Sequence, residues 1–376
     1  MADFISLGGG LPAAELYPLK AIQSATERAL SHWGTQALEY GPVEGLPALR
    51  DAIAQRMSKQ LKGRFTSDNV IITSGAMQSL EIIGKVLIDR GDCVVTQHPT
   101  YVGALDAWRA REPTYVPLDW RDRQGTLCSD LRQSKFVYAV PNYSNPTGVL
   151  VPTSERVHLL ACAARAGVWV LEDDPYCALH YDGPAEPALM TLDCAGLGGG
   201  AYAGPVIYLG TLSKSIAPGL RVGWALADAS MIRMLTLAKM ASDLSGSMFS
   251  QAVAWQLLQD DIESSHCVRI VSAYRERRDA LCAQARAELS EWFEWEVPPG
   301  GMFVWMRARD PRIDTDVLYR FAKEEKVAFV PSSVFYHAGQ LNNAMRLNFT
   351  RGAPAQLREG VSRLARAVRR YLNNHA

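Results

Sequence analysis

The sequence lacks the features that mark membrane, secreted and nucleic-acid-binding proteins. Its 39 Lys and Arg residues balance 39 Asp and Glu residues, so no basic field favours nucleic acid or an anionic membrane surface. The most apolar long window, residues 188–210, is interrupted by Asp193, Pro205 and five glycines between positions 196 and 204, which predicts a loop followed by a strand rather than a membrane span. The start, MADFISLGGGLP, has no basic segment followed by an apolar run, so we expect no secretory signal.

Cysteine is scarce and irregularly spaced. The seven cysteines stand at positions 93, 128, 162, 177, 194, 267 and 282, and no pair has the C-x-x-C spacing of many zinc and redox sites. We therefore expect neither a disulfide framework nor a metal site, but free thiols in a reducing compartment. No G-x-G-x-x-G follows a predicted strand, which disfavours a nicotinamide dehydrogenase. The GLGGGAYAG stretch lacks that spacing and is predicted to be a flexible loop.

The chain does contain short apolar runs that alternate with helical patterns. VIIT, CVVT, FVYAV, VWVL, VIYLG and VGWALA begin at positions 70, 93, 136, 168, 206 and 222. Continuous apolar strands separated by helices predict a mostly parallel sheet that is covered on both faces. We therefore predict an α/β fold whose large domain, residues 45–265, has three αβα layers.

Beyond residue 265 the pattern changes. A long polar helix, RIVSAYRERRDALCAQARAELS, leads to WFEWEVPPGGMFVWMRA, where we predict strands joined by a Pro-Gly turn. We expect a smaller α+β C-terminal domain at residues 266–376, to which the N-terminal segment, residues 1–44, contributes. At the end of the chain the apolar residues recur at helical spacing and predict a docked helix with a basic outer face. They are Leu357, Val361, Leu364, Val368 and Leu372.

Chemically unusual segments follow four of the predicted strands. SGAMQ follows VIIT, PNYSNPTG follows FVYAV, EDDPY follows VWVL, and TLSKS follows VIYLG. Ligands of open α/β sheets collect at the carboxyl ends of strands, and a helix start such as SGAMQ offers N–H groups to phosphate. Each segment alone is equally well explained as an ordinary turn, a solvated loop or, for Lys214, a surface lysine. Their combination favours a binding site.

The order of these segments resembles a known enzyme family. N-P-T-G, then D-x-x-Y about thirty residues later, then S/T-x-S-K-x-x-x-x-x-x-R about forty further on, resembles the fold type I pyridoxal phosphate (PLP) aminotransferases. The resemblance covers nearly the whole chain. SLGGGLPAAELYPL, LEYGPVEGLPALRDAI, PPGGMFVWM and MRLNFT are similar to the branch of 2-aminoadipate, kynurenine and aromatic aminotransferases, whose domain also occurs in MocR-type regulators. It implies PLP as the cofactor and a cytoplasmic enzyme.

The resemblance assigns the cofactor's reactive parts to residues of this chain. Lys214 would hold PLP as an internal aldimine and then move the proton from Cα to C4′, which requires a lysine whose pKa is lowered by burial and nearby cations. Asp173 would keep the pyridine nitrogen protonated. Tyr176 and Asn145 would hydrogen-bond the phenolic oxygen. The two carboxylates that flank Asp173 match no cofactor contact and are expected to be structural.

The resemblance also places the cofactor phosphate at the start of the helix predicted after VIIT. The expected ligands are the backbone N–H groups of Ala76 and Met77, the hydroxyls of Thr211 and Ser213, and the guanidinium of Arg221. Close relatives often carry Ser-Gln where this chain has Ala76-Met77. We therefore expect the backbone contacts to persist and one hydroxyl contact to be lost.

The remaining matches concern stacking, substrate and assembly. Tyr101 matches the aromatic residue that stacks on the cofactor ring. Arg346, assisted by Asn145, matches the residue that binds the substrate α-carboxylate. Tyr40 matches a residue that reaches the phosphate of the neighbouring subunit, which implies a homodimer with shared active sites and places residues 1–44 at its interface. The positions that match the substrate pocket are Gly10, Leu11 and Phe303.

The predicted reaction is ping-pong transamination from an aromatic, 2-aminoadipate-like or other bulky amino acid to a 2-oxo acid such as 2-oxoglutarate. One alternative is a PLP enzyme that uses the quinonoid for β- or γ-elimination, replacement, cyclisation or oxidation. The Ala76-Met77 departure and a short N-terminal segment, which would widen the substrate entrance, keep this alternative open. The other alternative, a MocR-type sensor domain, would need a helix-turn-helix domain before Ser6, and none is expected here.

Overall fold

The central part of the protein is a seven-stranded sheet. The computed structural model describes residues 4–197, 200–337 and 341–375. After a short first strand, β1 (Ile5–Ser6), the sheet strands are β2 (Val70–Thr73), β3 (Cys93–Thr96), β4 (Thr114–Pro117), β5 (Phe136–Ala139), β6 (Trp169–Asp173), β7 (Val206–Thr211) and β8 (Gly223–Leu226). Their spatial order is β2-β8-β7-β6-β5-β3-β4. Strand β8 runs antiparallel to β2 and β7, and the other adjacent strands of the sheet pair in parallel, so the predicted mostly parallel sheet is confirmed.

The apolar runs form strands because helices cover both faces of the sheet. In β2, Val70 and Ile72 belong to one core and Ile71 to the other, as the two-residue period of a strand requires. The sequence did not indicate β4, because its residues are only partly buried and Pro117 ends it at the sheet edge.

Nine helices accompany this sheet in the described residues. One face packs against α1 (Leu19–Trp33), α2 (Pro47–Gln60), α5 (Leu127–Arg132), α6 (Thr153–Ala166), α7 (Leu189–Gly196) and α9 (Met248–Gln259). The opposite face packs against α3 (Ala76–Leu87), α4 (Val102–Trp108) and α8 (Ala229–Asp243). The predicted three-layer αβα arrangement is therefore confirmed.

Helix α7 corrects the expectation that a loop alone precedes β7. Glu172 accepts hydrogen bonds from the backbone N–H groups of Leu189 and Met190, at 2.8 and 2.9 Å. These bonds satisfy two donors that a helix start leaves free, a contact the window around Asp193 could not reveal. Gly198 and Gly199 of the glycine-rich stretch lie outside the described residues. Within the described residues, no helix is long and apolar enough to cross a membrane.

A second core lies in the C-terminal part of the chain. Its elements are α10 (Ile262–Glu288), β9 (Phe293–Glu294), β10 (Phe303–Ala308), α11 (Thr315–Glu324), β11 (Val327–Ala328), β12 (Val330–Pro331), β13 (Ala344–Asn348) and α12 (Pro354–His375). Four strands form a sheet of order β12-β13-β10-β9, and β1 pairs in parallel with β11. The apolar stripe predicted for the last helix is confirmed: its first four members are buried and Leu372 packs beside them. Helix α10 runs across the predicted boundary at 265/266, and the domain boundaries stay a prediction.

The structure also corrects the expectation that all cysteines are free thiols. Cys128 in α5 and Cys162 in α6 form a disulfide with a Cα–Cα distance of 4.8 Å. Helices α5 and α6 pack side by side on the same face of the sheet, so these cysteines meet although 34 positions separate them. The other five cysteines are free. The described residues contain no group of three or more His, Cys, Asp or Glu side chains that could hold a metal ion.

Candidate active site

A cavity of about 400 Å³ opens at the carboxyl ends of the parallel strands. Strands β6 and β7 contribute their last residues, and the C-terminal sheet closes the opposite wall. The structure brings together here every predicted site residue except Tyr40. They are Gly10, Leu11, Ala76, Met77, Tyr101, Asn145, Asp173, Tyr176, Thr211, Ser213, Lys214, Arg221, Phe303 and Arg346.

Lys214 lies in the segment that leaves β7. Its Nζ donates a hydrogen bond to the backbone oxygen of Gly10 at 2.8 Å. Burial and, after it, the positive charges of Arg346 and Arg221 together lower the pKa of Lys214 to about 8, although Asp173 opposes them. The uncharged amine, which a nucleophile or base requires, is therefore far more populated near neutral pH than in an exposed lysine.

Asp173 is the last residue of β6, and only one of its oxygens is paired. The hydroxyl of Tyr138 donates to Oδ2 at 2.8 Å, whereas buried Oδ1 has no hydrogen-bond partner among the described residues. Burial raises the pKa of Asp173 to about 7, although the Tyr138 bond and Lys214 lower it. An unpaired buried carboxylate oxygen is costly, and a cationic N–H donor in the cavity would relieve that cost.

A tight turn precedes α3 at the edge of the cavity. Gly75 has φ +80°, a left-handed backbone conformation that favours glycine. Arg221 Nη2 donates to the Ser74 oxygen at 2.7 Å. On the other side, the hydroxyl of Thr211 donates to that of Ser213 at 2.9 Å. Helix N–H groups, hydroxyls and a guanidinium thus converge as a phosphate site requires.

Arg346 occupies the opposite wall of the cavity, on β13. Its guanidinium donates to Asn145 Oδ1 at 2.6 Å and to the Gly8 oxygen at 2.7 Å. The Phe303 ring lies 4.2 Å from the guanidinium carbon. Burial lowers the pKa of Arg346 to about 10, but the guanidinium stays charged at neutral pH. Its planar fork suits a carboxylate.

Aromatic side chains form the remaining walls. Tyr176 meets Phe303 edge to face with ring centroids 6.0 Å apart. Burial raises the pKa of Tyr176, and a hydrogen bond with Asn145 opposes that rise. Tyr101 directly precedes α4, and its hydroxyl contacts Met77 Sδ at 3.5 Å. Met77 therefore packs beside the ring expected to stack on the cofactor.

Tyr40 lies outside this cavity. Its side chain is 84% exposed and borders a separate surface depression with Met248 and Phe249. Tyr40 therefore does not reach the cavity of its own chain, and its action on a partner subunit stays a prediction.

The carboxylates that flank Asp173 are held by the protein itself. Glu172 binds the start of α7, and Asp174 Oδ2 accepts a hydrogen bond from the hydroxyl of Tyr208 at 3.1 Å. Neither residue lines the cavity.

Sequence reasoning missed Tyr138, which orients Asp173. A usable signal was present, because a tyrosine within the aliphatic run FVYAV must find a partner for its hydroxyl once buried. It also missed four residues of the cavity wall that carry no such signal: Val102, Val140, Pro175 and Pro218.

Taken together, the fold and the cavity define a PLP-dependent transferase. The amine of Lys214 suits the cofactor aldehyde, the unpaired oxygen of Asp173 suits a protonated pyridine nitrogen, and the turn before α3 suits the phosphate. Residues 2–364 match the family model of the class I and II aminotransferases. The chain belongs to this family.

Similar proteins and solved structures support the same assignment. Aromatic-amino-acid aminotransferase 1 of Thermococcus litoralis is 36% identical over 378 residues, which cover 98% of this chain and 88% of the relative. The solved kynurenine aminotransferase of Pyrococcus horikoshii, in complex with PMP, superposes with a TM-score of 0.90 at 36% identity, covering 98% and 92% of the two chains. The solved structure of the α-aminoadipate aminotransferase LysN of Thermus thermophilus, complexed with N-(5′-phosphopyridoxyl)-L-leucine, superposes with a TM-score of 0.90 at 34% identity. The superposition covers 99% of this chain and 93% of LysN.

Proposed function

We propose that this protein is a PLP-dependent aminotransferase acting in the cytoplasm. It would move the amino group of an aromatic, 2-aminoadipate-like or other bulky amino acid to a 2-oxo acid such as 2-oxoglutarate. The observation that carries the proposal is the convergence of Lys214, the unpaired oxygen of Asp173 and the guanidinium of Arg346 in one cavity. These groups suit the cofactor aldehyde, its ring nitrogen and an amino acid carboxylate.

The chain's own residues would hold the cofactor. When bound, PLP supplies an aldehyde that takes up an amine and a ring that accepts electrons from Cα. Asp173 Oδ1 would accept the hydrogen bond of the protonated pyridine nitrogen. The turn before α3, together with Thr211, Ser213 and Arg221, would hold the phosphate, and Tyr101 would stack on the ring.

Substrate orientation would depend on the wall opposite the sheet. Arg346 would bind the α-carboxylate, with Asn145 holding the guanidinium in place. Among the described residues, the cations that line the cavity are Lys214, Arg221 and Arg346. Each already has a role, so the substrate side chain would meet mainly apolar groups such as Leu11 and Phe303. This lining favours bulky apolar donors, in keeping with the aromatic and kynurenine substrates in the relatives' names.

Lys214 would be both the attachment point of the cofactor and the base of the reaction. Its Nζ would take the proton from Cα of the donor and deliver it to C4′ of the cofactor. A pKa near 8 allows one amine to accept and release that proton close to neutral pH.

The activity test combines a spectrum with product analysis. We expect the purified protein to absorb near ~420 nm through a PLP–lysine linkage and to lose this band in Lys214→Ala. Lys85→Ala is the matched control, because Lys85 lies on the surface of α3 and contacts Glu81 and Ser242. A panel of amino acids with 2-oxoglutarate should yield glutamate and the matching 2-oxo acid by mass spectrometry.

One outcome would overturn transamination without removing the cofactor. If a donor shifts the absorbance band but no donor yields glutamate, the carbanion is used for elimination, replacement or cyclisation instead. Absence of the band from the unvaried protein after incubation with PLP would contradict the cofactor assignment itself.

We also propose that the protein is a homodimer in which Tyr40 contacts the partner's cofactor site. In the single chain, Leu38 and Tyr40 are largely exposed, and they border the same surface depression as Phe249. Such a cluster of exposed apolar side chains is typical of an interface. Light scattering should give a dimer mass, and Tyr40→Ala should weaken PLP binding. A monomer that binds PLP normally would contradict this proposal.

A further inference from the structure

The two backbone polar groups of Ser74, its N–H and its carbonyl oxygen, are both held by side chains. Ser74 lies between β2 and α3, directly before Gly75. Its N–H donates to Gln78 Oε1 at 2.8 Å, and its oxygen accepts from Arg221 Nη2 at 2.7 Å. These two bonds fix the orientation of the turn whose N–H groups face the proposed phosphate.

Gln78 is itself held by a charged pair on α8. Its Nε2 donates to Asp243 Oδ2 at 2.7 Å, and Asp243 Oδ1 accepts from Lys239 Nζ at 2.8 Å. The amide orientation of Gln78 follows from chemistry, because the Ser74 N–H can only donate and a carboxylate can only accept. The side chain of Lys239 is 1% exposed, and its ammonium holds the Asp243 carboxylate in place through a hydrogen bond of 2.8 Å.

None of these three residues lines the cavity. Gln78, Asp243 and Lys239 are absent from its walls, and their contacts end at the Ser74 N–H. Any effect on a ligand must therefore pass through the turn. A second polar contact also joins α3 to α8 but does not reach the turn: Lys85 Nζ donates to Ser242 Oγ at 2.6 Å. The Lys85–Ser242 contact therefore serves as a control, because it joins the same two helices without contacting Ser74.

We propose that Lys239, Asp243 and Gln78 form a positioning relay that sets the Ser74–Ala76 turn for binding the phosphate group of the cofactor. The relay rests on the proposed function, because it deepens the role of the phosphate site. A helix start binds an anion only when its N–H groups point at one place. The relay supplies the fixed reference for that orientation from α8, an element on the sheet face that α3 also covers.

The test compares three ligands of the apoprotein: PLP, pyridoxal and inorganic phosphate. Gln78→Leu removes both bonds of the relay's central residue, and Gln78 is only partly buried, so the variant should fold. We expect PLP and inorganic phosphate to bind about tenfold more weakly, because the partly buried N–H of Ser74 loses its acceptor. Pyridoxal, which lacks the phosphate, should bind as before. The control Lys85→Met should leave all three affinities unchanged.

A double-mutant cycle tests whether Asp243 acts through Gln78. Asp243→Ala should also weaken phosphate binding, and the double variant should bind no more weakly than Gln78→Leu alone. Additive losses would overturn the relay. If Asp243→Ala does not fold, the relay is tested by Gln78→Leu alone, through its loss of affinity for PLP and inorganic phosphate but not for pyridoxal.

The outcomes separate the relay from simple stabilisation and from the proposed function. Equal weakening of pyridoxal and PLP in Gln78→Leu, or a lowered melting temperature with unchanged phosphate affinity, would show a merely structural role and overturn the relay. If the unvaried protein binds inorganic phosphate but not PLP, the proposed function fails, while a loss of phosphate affinity in Gln78→Leu would still support the relay.

Discussion

Two adjacent carboxylates on β6 serve opposite faces of the same sheet. Glu172 points to the face covered by α7 and accepts two backbone N–H groups. Asp173 points to the other face, where one oxygen is paired with Tyr138 and the other is unpaired. Both side chains are buried and burial raises both pKa values. The protein satisfies the first carboxylate completely and leaves the second available to a ligand.

This difference teaches how burial can serve either structure or reaction. The N–H donors of α7 oppose the burial-induced rise in the pKa of Glu172 and tie the carboxylate to a helix start, where negative charge is favourable. Asp173 has no such helix, so its charge depends on Tyr138, Lys214 and whatever the cavity contains. The comparison can be tested by changing one face at a time.

The largest expected effect is the loss of activity in Asp173→Asn. The neutral amide cannot stabilise a protonated pyridine nitrogen, so we expect kcat to fall by about 10²–10³-fold. Steady-state kinetics with the best donor measures this fall. Glu172→Gln is the matched control and should keep kcat close to that of the unvaried protein. Equal losses in both variants would remove the distinction between the faces.

The next effect concerns stability, and here we expect Glu172→Gln to be the affected variant and Asp173→Asn to be the control. Glu172→Gln places an NH₂ group against one of the two N–H donors of α7, which should lower the free energy of unfolding by about 1–3 kcal/mol. Urea unfolding of the apoprotein measures this change. Asp173→Asn should not lower the free energy of unfolding in this way, because the amide oxygen of the asparagine can still accept the hydrogen bond of Tyr138. A stable Glu172→Gln protein would show that α7 does not depend on this contact.

A smaller effect is expected from Tyr138→Phe, which removes the hydroxyl that donates to Asp173. Because that bond lowers the pKa of Asp173, its loss should favour the protonated acid and reduce kcat/KM by about tenfold. The loss should diminish at higher pH, where Asp173 ionises again. A reduction of kcat/KM that is the same at every pH would point to altered packing instead.

The last effect is a change in the pH dependence of apoprotein stability. The folded pKa of Asp173 is about 7 and its ordinary value is 3.8, so between these values the unfolded chain binds fewer protons than the folded one. Stability should therefore decrease as pH rises from about 4 to 7. Asp173→Asn should lack this decrease when unfolding is measured across that range. A parallel pH dependence in both proteins would contradict the raised pKa.

The sequence predicted the sheet and four of the segments that meet at its edge because these depend on local signals, whereas Tyr101, Arg346 and Phe303 were assigned to the site only through the family resemblance. Apolar runs such as VIIT and segments such as TLSKS are contiguous in the chain, and parallel strands bring their carboxyl ends to one edge. Helix α7 and the Cys128–Cys162 disulfide were not predicted. Both depend on which elements become neighbours in space, as does the contact of Gln78 with Asp243 across 165 positions.

The position of Arg346 near the end of the chain has a consequence for incomplete chains. The Arg346 guanidinium contacts the oxygen of Gly8, 338 positions earlier in the chain, and the side chain of Asn145 in the segment between β5 and α6. A chain still on the ribosome lacks this wall of the cavity until β13 has been synthesised. Unfinished or C-terminally degraded chains would thus lack both the guanidinium proposed to bind the substrate carboxylate and one of the positive charges that lower the pKa of Lys214.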